Sequence, residues 1–260
     1  MSQNILITGA AGAIAQAISP HLRQRGHYVR TLDRLDLPNP ITSDMAHLTK
    51  ADLTDEHLIG DIADPTLAAQ AVSHIDTVIH LAAYRNDADF MDILLEPNVI
   101  GLYQICNAAR HADVKRLVLA SSIQAVSGRM RAGHVAHVEE RATPTNHYGL
   151  TKLWAEDLGE MYARCYDMSA INVRIGWFAR DAVIAERIDS SEHGPDVYLS
   201  HGDAQRFFAR CVESEKPAAG ASMTVFATSQ PRNRVRLNSD EAWDSLGYVP
   251  VDVWHGVPFS

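Results

Sequence analysis

The sequence predicts an α/β fold, a doubly wound parallel sheet with helices on both faces and a small C-terminal cap. Three observations carry that expectation. Short apolar runs alternate with helix-periodic segments through the first 176 of the 260 residues. The runs are apolar throughout, as strands covered on both faces require. The first run ends in a glycine-bearing turn that leads straight into an apolar-periodic helix. No repeat of 20–50 residues and no low-complexity tract competes with this reading, so one domain over residues 1–260 is expected. Residues 1–176 would form its core and 177–260 its cap.

The elements follow in order. Ile5–Thr8 reads as the first strand, Ala13–Arg25 as a helix and Tyr28–Asp33 as the second strand. A loop with two prolines over Leu35–Lys50 precedes a short strand near Leu58–Gly60. A helix near Thr66–Ser73 leads to the strand Thr77–Ala82, and helical periodicity then covers Phe90–His111 with an interruption at Pro97. Lys115–Ser122 is a buried strand, Asn146–Tyr166 a long helix and Ala170–Gly176 the sixth strand. Beyond it lie a helix at Gly202–Ser214, a short strand at Met223–Ala227 and a helix at Asp240–Leu246, too little for a second large domain.

Composition excludes some function classes. A formal charge of −9 argues against nucleic acid or anionic membrane as partner, since both are bound chiefly through basic patches. Cys106, Cys165 and Cys211 are far apart with no Cys-x-x-Cys spacing, and are expected to be reduced core thiols. The 13 histidines show no metal-ligand spacing, so no metal is expected. No apolar run reaches membrane-spanning length, and a strand from about Asn4 leaves no room for a signal peptide, so a cytoplasmic protein is expected.

In this setting the turn "TGAAGAIA" reads as a Rossmann-type dinucleotide site. Gly9 permits the tight turn, Gly12 admits a pyrophosphate to the backbone, and Ala15 is small enough for close helix–sheet packing. Asp33 ends the second strand 24 residues after Gly9, where a carboxylate binds ribose hydroxyls and repels a 2′-phosphate. NAD is therefore favoured, although Arg34 leaves some room for NADP. Tyr148 and Lys152, in "YGLTK", fall on one helix face after a strand that ends in Ser121-Ser122.

Together with "GDIAD" (60–64), "HLAA" (80–83), "PNVIG" (97–101), "LASS" and "VRIG", these motifs make nearly the whole chain resemble the NAD-dependent epimerase/dehydratase branch of the short-chain dehydrogenase/reductase superfamily. The resemblance implies that Tyr148 is the acid/base. Lys152 would bind the nicotinamide ribose and lower the tyrosine pKa, and Ser122 would hold the reacting oxygen. It further implies cofactor contacts from Gly9, Gly12, Ala13, Ile14, Asp33 and Arg34, with Asp61 and Ile62 flanking the adenine. Leu81, Ala82, Ala83 and Ile175 would line the cofactor, and Asn98 would support the site. An ammonium about 4 Å away, in an effective dielectric near 20, would offset much of the roughly 4 kcal/mol needed to make a tyrosine a base near pH 7.

The chain is similar in particular to compact sugar 1-dehydrogenases, a group that includes uronate dehydrogenase and enzymes for sugar 6-phosphates or 6-sulfonates. The stretches that carry this are Asn98–Arg110, Val197–Ser214 and Ser239–Pro250. The pattern departs from uronate dehydrogenases at two places. Ile123-Gln124 replaces an Asn-His pair, and the place of their carboxylate-gripping arginine falls near His193, within a longer insert that contains Arg180 and Arg187. Five arginines nevertheless follow the C-terminal ends of strands: Arg85, Arg129, Arg131, Arg180 and Arg187. Substrate contacts are expected from Arg85, Ser122, Ile123, Gln124, Tyr148, Trp177 and Arg187. The expected reaction is oxidation of the anomeric C1 hydroxyl of an acidic hexopyranose to a lactone, tilted toward a 6-sulfonate such as sulfoquinovose. A sugar epimerase or dehydratase and a non-catalytic NAD sensor are the alternatives. The resemblance also implies a homo-oligomer.

Overall fold

The computed structural model describes residues 2–37, 49–130 and 133–256, with the backbone alone of Arg131. It opens with strand β1 (Asn4–Thr8), helix α1 (Ala13–Gln24) and strand β2 (Tyr28–Asp33). Most of the loop expected over Leu35–Lys50, with both its prolines, lies outside the described residues. Then come the single turn α2 (Lys50–Leu53), β3 (Glu56–Ile59), α3 (Pro65–Ala71) and β4 (Thr77–His80). The motif "GDIAD" is a helix start. Asp64 accepts the Thr66 N–H at 2.8 Å, and Pro65 stands where a helix needs no donor.

The helix expected to break at Pro97 runs on. Phe90–Leu94 and Glu96–Gly101 wind in wide π-type turns and pass into α4 (Leu102–His111). Pro97 is the second residue of the wide stretch Glu96–Gly101, so the wide winding coincides with the residue that cannot donate. After β5 (Arg116–Ser122) and a 3₁₀ turn over Ile123–Val126 come α5 (Ser127–Arg131), β6 (Ala136–His137), α6 (His147–Tyr166) and β7 (Ser169–Ile175). The C-terminal part adds β8 (Trp177–Phe178), α7 (Ala182–Ser190), β9 (Tyr198–Leu199), α8 (His201–Glu213), β10 (Ser222–Ala227), β11 (Leu237–Asn238) and α9 (Asp240–Leu246). The small pairs β6–β11 and β8–β9 and the helix α7 had no counterpart in the apolar pattern.

The main sheet has seven parallel strands in the order β10-β7-β5-β4-β1-β2-β3. Part of the segment expected to cap the sheet is thus its edge strand, β10, paired along β7 from Ser222 to Ala227. Alternation within β1 shows how both faces are filled. Ile5 and Ile7 join a core with α1 and α8, while Leu6 joins one with α3, α4 and α6, all three side chains fully buried. Each such side chain contributes about 1.5–3 kcal/mol when removed from water. The helix after β1 covers one face and the helix after β4 the other, so the strand order reverses between these neighbours. A crevice opens there at the carboxyl ends of the strands. Of the thiols, Cys106 and Cys211 are buried, but Cys165 is exposed near the end of α6, contrary to the core placement expected for all three. Among the described residues no helix is long and apolar enough to cross a membrane.

Candidate active site

A cleft of about 490 Å³ occupies this crevice. At its floor Gly9 takes φ +74°, and a Cβ there would fall 2.7 Å from the Ala82 nitrogen. The turn and the loop after β4 therefore touch backbone to backbone. A Cβ on Gly12 would come within 3.0 Å of the Gly9 carbonyl. Gly12 is the N-cap of α1 and offers no side-chain cap, and the first turn has no acid. Its N–H groups and partial positive charge are left for an anion, as a pyrophosphate requires. Asp33 is pinned at the end of β2, its carboxylate accepting the Ala11 N–H at 2.9 Å and the Leu35 N–H at 3.0 Å. Arg34 is 3.8 Å from Asp61, so the cation that might have served a 2′-phosphate is paired with an acid of the same rim. These residues fit a dinucleotide.

The loop after β4 is held by a buried histidine. His80 Nδ1 and Thr8 Oγ1 are 3.0 Å apart, and Thr8 Oγ1 also accepts the Ala82 N–H at 3.3 Å. Burial, with the Lys152 charge adding to it, pushes the imidazole down to about 3.

Ser122 ends β5 with its Oγ accepting the Gln124 N–H at 3.1 Å. Gln124 Oε1 accepts from Asn146 Nδ2 at 2.7 Å, and Asn146 Oδ1 caps α6 through the Gly149 N–H at 2.7 Å. A Cβ on Gly149 would lie 2.8 Å from the Gln124 carbonyl, so the first turn of α6 rests directly on the Ser122 turn. This contact sets Tyr148 beside Ser122, whose side chain hydrogen-bonds the phenol. One turn further on, Lys152 Nζ donates to the Ala120 carbonyl at 3.0 Å and lies 5.5 Å from the Tyr148 ring centre. Burial pushes the Tyr148 phenol up to about 12, with Ser122 pulling weakly the other way, and pushes Lys152 down to about 8. The expected lowering of the tyrosine by lysine is thus not produced by the protein's own groups. The Lys152 nitrogen is turned toward a carbonyl, and burial of the phenol governs its shift.

A buried ion pair braces this arrangement from behind. Glu156, one turn after Lys152, accepts two bonds of 2.9 Å from Arg174 on β7 and one from Ser121 Oγ. It ties α6 to the strands on which Ser122 and Ile175 end.

Most residues expected at the site line the cleft. They are Gly9, Gly12, Ala13, Ile14, Asp33, Arg34, Asp61, Ile62, Leu81, Ala82, Ala83, Arg85, Ser122, Gln124, Tyr148, Lys152, Ile175, Trp177 and Arg187. Two do not. Ile123 points into an apolar cluster with Val126, Phe226 and Leu237, because the 3₁₀ turn puts Ile123 and Val126, three residues apart, on one face and Gln124 on another. Asn98 is buried behind the cleft. Its amide bonds the Tyr84 backbone at 2.7 and 3.0 Å and Thr151 Oγ1 at 3.1 Å, which joins the loop to α6. Arg129 pairs with Glu140 away from the cleft, and the side chain of Arg131 lies outside the description. The sequence reading missed Tyr84, Asn86, Glu96, Phe178 and Ile184 as lining residues and did not single out Arg180. Phe178, Arg180 and Ile184 belong to the β8–α7 segment, which shows no clear apolar period.

The family profile described as "NAD dependent epimerase/dehydratase family" matches residues 5–208. The chain belongs to this family. Its cofactor is NAD, as the geometry of the Gly9–Gly12 turn and of Asp33 requires. The NAD-dependent glucose-6-phosphate dehydrogenase of Haloferax volcanii is 30% identical, covering 97% of this chain and 94% of its own length. The L-arabinose 1-dehydrogenase (NAD(P)(+)) of the same organism is 27% identical over 95% of this chain and 96% of its length. Among solved structures, glucuronic acid dehydrogenase from Chromohalobacter salexigens superposes with a TM-score of 0.80 at 29% identity, covering 97% of this chain and 86% of that one. Family membership and fold thus rest on nearly the whole chain.

Proposed function

We propose that this protein is an NAD-dependent sugar 1-dehydrogenase that oxidises the anomeric C1 hydroxyl of an acidic hexopyranose to the lactone. One observation carries the reading. Ser122, Tyr148 and Lys152 line the same cleft as the dinucleotide turn, and Arg85, Arg180 and Arg187 line it too. Oxidation removes a hydride from C1 and a proton from its hydroxyl, and NAD, when bound, supplies the hydride acceptor and a positive charge beside the phenol. Tyr148 takes the hydroxyl proton. Ser122 hydrogen-bonds the reacting oxygen, and Lys152 holds the ribose side and passes its positive charge to the same region. Gln124, its carbonyl oxygen engaged by Asn146, keeps its amide nitrogen for a sugar hydroxyl.

The similar proteins named for glucose 6-phosphate, L-arabinose and glucuronic acid support sugar oxidation as a class. The arginines favour an acidic sugar, and a 6-sulfonate such as sulfoquinovose is the narrower reading. In this account residues 1–176 carry the cofactor, residues 177–260 supply the substrate side of a single domain, and the molecule works as a homo-oligomer.

The test is NADH absorbance with glucuronate, galacturonate, glucose 6-phosphate, sulfoquinovose and glucose. Turnover on one of the acidic sugars is expected, and Tyr148→Phe should lower it at least a hundredfold while leaving NAD affinity nearly unchanged. Retention of more than about a tenth of the rate would remove Tyr148 from the proton transfer. No net NADH with any sugar, together with interconversion of sugar isomers, would make the protein an epimerase.

A further inference from the structure

Arginine clusters repel themselves, so a chain that keeps one must gain from what the cluster binds. The substrate end of the cleft holds three. Arg85 comes from the loop after β4, Arg180 from the turn after β8, and Arg187 from α7. Arg85 comes from a distant part of the chain, yet Arg180's own burial first, and then the charges of Arg85 and Arg187, hold its pKa below the usual guanidinium value. Neither the Arg85 nor the Arg187 guanidinium has a hydrogen-bond or ion-pair partner among the described residues, and both residues are exposed. Arg180 is half-buried. Its Nε lies 3.3 Å from Asp181 without forming a hydrogen bond, and that atom is sealed from solvent. Asp181 is itself committed, its other carboxylate oxygen capping α7 through the Ile184 N–H at 2.8 Å. Three cations therefore line this end of the cleft, and among the described residues Asp181 is the carboxylate that acts on Arg180, in a chain of net charge −9.

We infer that Arg180 is the centre, with Arg85 and Arg187 as the rim, of a specificity site for a tetrahedral –XO₃ oxyanion on the substrate, a sulfonate or a phosphomonoester rather than a carboxylate. A carboxylate offers two oxygens in one plane, and one bidentate guanidinium satisfies both. The second and third arginines would then be left without an acceptor on the substrate while still repelling the first. A tetrahedral group presents three terminal oxygens in three directions, one toward each guanidinium. Arg180, the least exposed of the three and the one on which the charges of both others act, is the member with most to gain from an anion. The inference rests on the reading of this cleft as an acidic-sugar site. It also moves the anion contact to a residue that sequence reasoning counted among the loop cations without choosing it.

The test needs no turnover. Methyl phosphate, methanesulfonate and acetate are titrated by calorimetry into the protein saturated with NAD⁺ at fixed ionic strength. Saturation closes the Gly9–Gly12 turn, the other place where small anions would bind. One or both of the tetrahedral ions should bind at least tenfold more tightly than acetate, and their ranking tells phosphate from sulfonate. Arg180→Ala should cost the preferred ion roughly ten- to a hundredfold in affinity, and Arg85→Ala and Arg187→Ala less. Arg180→Lys, which keeps the charge without the planar fork, should fall between and serves if the alanine variant does not fold. Acetate binding as tightly as the tetrahedral ions, no binding of any of the three, or an affinity unmoved by Arg180→Ala and Arg180→Lys would overturn the inference. Its failure is distinct from that of the dehydrogenase reading. Tight –XO₃ binding without NADH formation from any acidic sugar sinks only the latter, and hexuronate oxidation indifferent to Arg180 sinks only the former.

Discussion

At the scale of single residues, chemistry that depends on covalent identity was legible and chemistry that depends on surroundings was not. A glycine where the backbone must approach closely, an acid at the end of the second strand, and a tyrosine four residues before a lysine all carry their meaning in type and spacing. The direction of a pKa shift does not. Sequence placed an ammonium near a phenol, but burial decides the outcome and leaves the phenol near 12, while the Lys152 nitrogen donates to the Ala120 carbonyl. Arg180 was equally opaque, because its sealed Nε and its two cationic neighbours are facts of packing. Cofactor choice belongs at this scale. The Asp33 carboxylate is fixed by two backbone N–H groups and cannot swing aside, so it meets a 2′-phosphate with a full charge. Asp33→Ala should therefore narrow the preference for NAD⁺ over NADP⁺ at least tenfold, measured as the ratio of kcat/KM values. A ratio that does not move would pass the selection to Arg34 and Asp61.

At the scale of elements, strand and helix order followed from periodicity, and the errors have physical causes. Pro97 reads as a breaker in any α-helical register, but a wider turn accommodates it. Two-residue strands such as β6 and β8 hold no periodic signal at all. The edge strand β10 reads correctly as a strand, while its partner could not be inferred, since pairing with β7 is a long-range choice. The junction of β1 with β4 yields a pH prediction. His80 is held neutral down to about 3, against 6.5 for an exposed imidazole. As pH falls below 6.5 the unfolded chain therefore takes up the proton first, and the folded state loses stability through the window from 6.5 to 3. Between pH 7 and 5 this single group should cost about 2 kcal/mol. His21, also held below its ordinary value, chiefly by burial, adds an acid loss of the same sign in wild type and in a His80 variant alike, so the reading is the difference between the two. His80→Gln, which keeps a polar partner for Thr8, should flatten the denaturation midpoint between pH 7 and 5. An equal acid loss in wild type and variant would show that the sensitivity lies elsewhere.

At the scale of the whole molecule, two surfaces are out of keeping with an acidic, soluble-looking composition. One is the cationic end of the cleft, which the substrate is proposed to neutralise. The other is apolar. The continuous helical stretch from Phe90 through α4 exposes Met91 at 68%, Ile100 at 40% and Tyr103 at 45%, and the neighbouring α6 exposes Leu150 at 51% and Trp154 at 41%. Leu150 and Trp154 are four residues apart and Ile100 and Tyr103 three, so each helix presents its large apolar side chains along one stripe. Stripes on adjacent helices form a patch of the kind that marks a protein interface rather than a solvated face. Tyr148 and Lys152 lie in the same turns of α6 as these exposed residues. A partner covering the patch would therefore stiffen the helix that carries the proposed acid/base. A homo-oligomer built through these helices is the expected state, with a mass in light scattering of at least twice the 28.6 kDa of one chain. Tyr103→Lys combined with Trp154→Lys places like charges across a two-fold axis and should yield monomers with a lower kcat and little change in NAD affinity. Wild type running as a monomer, or an oligomer indifferent to both lysines, would sink the assignment of this face.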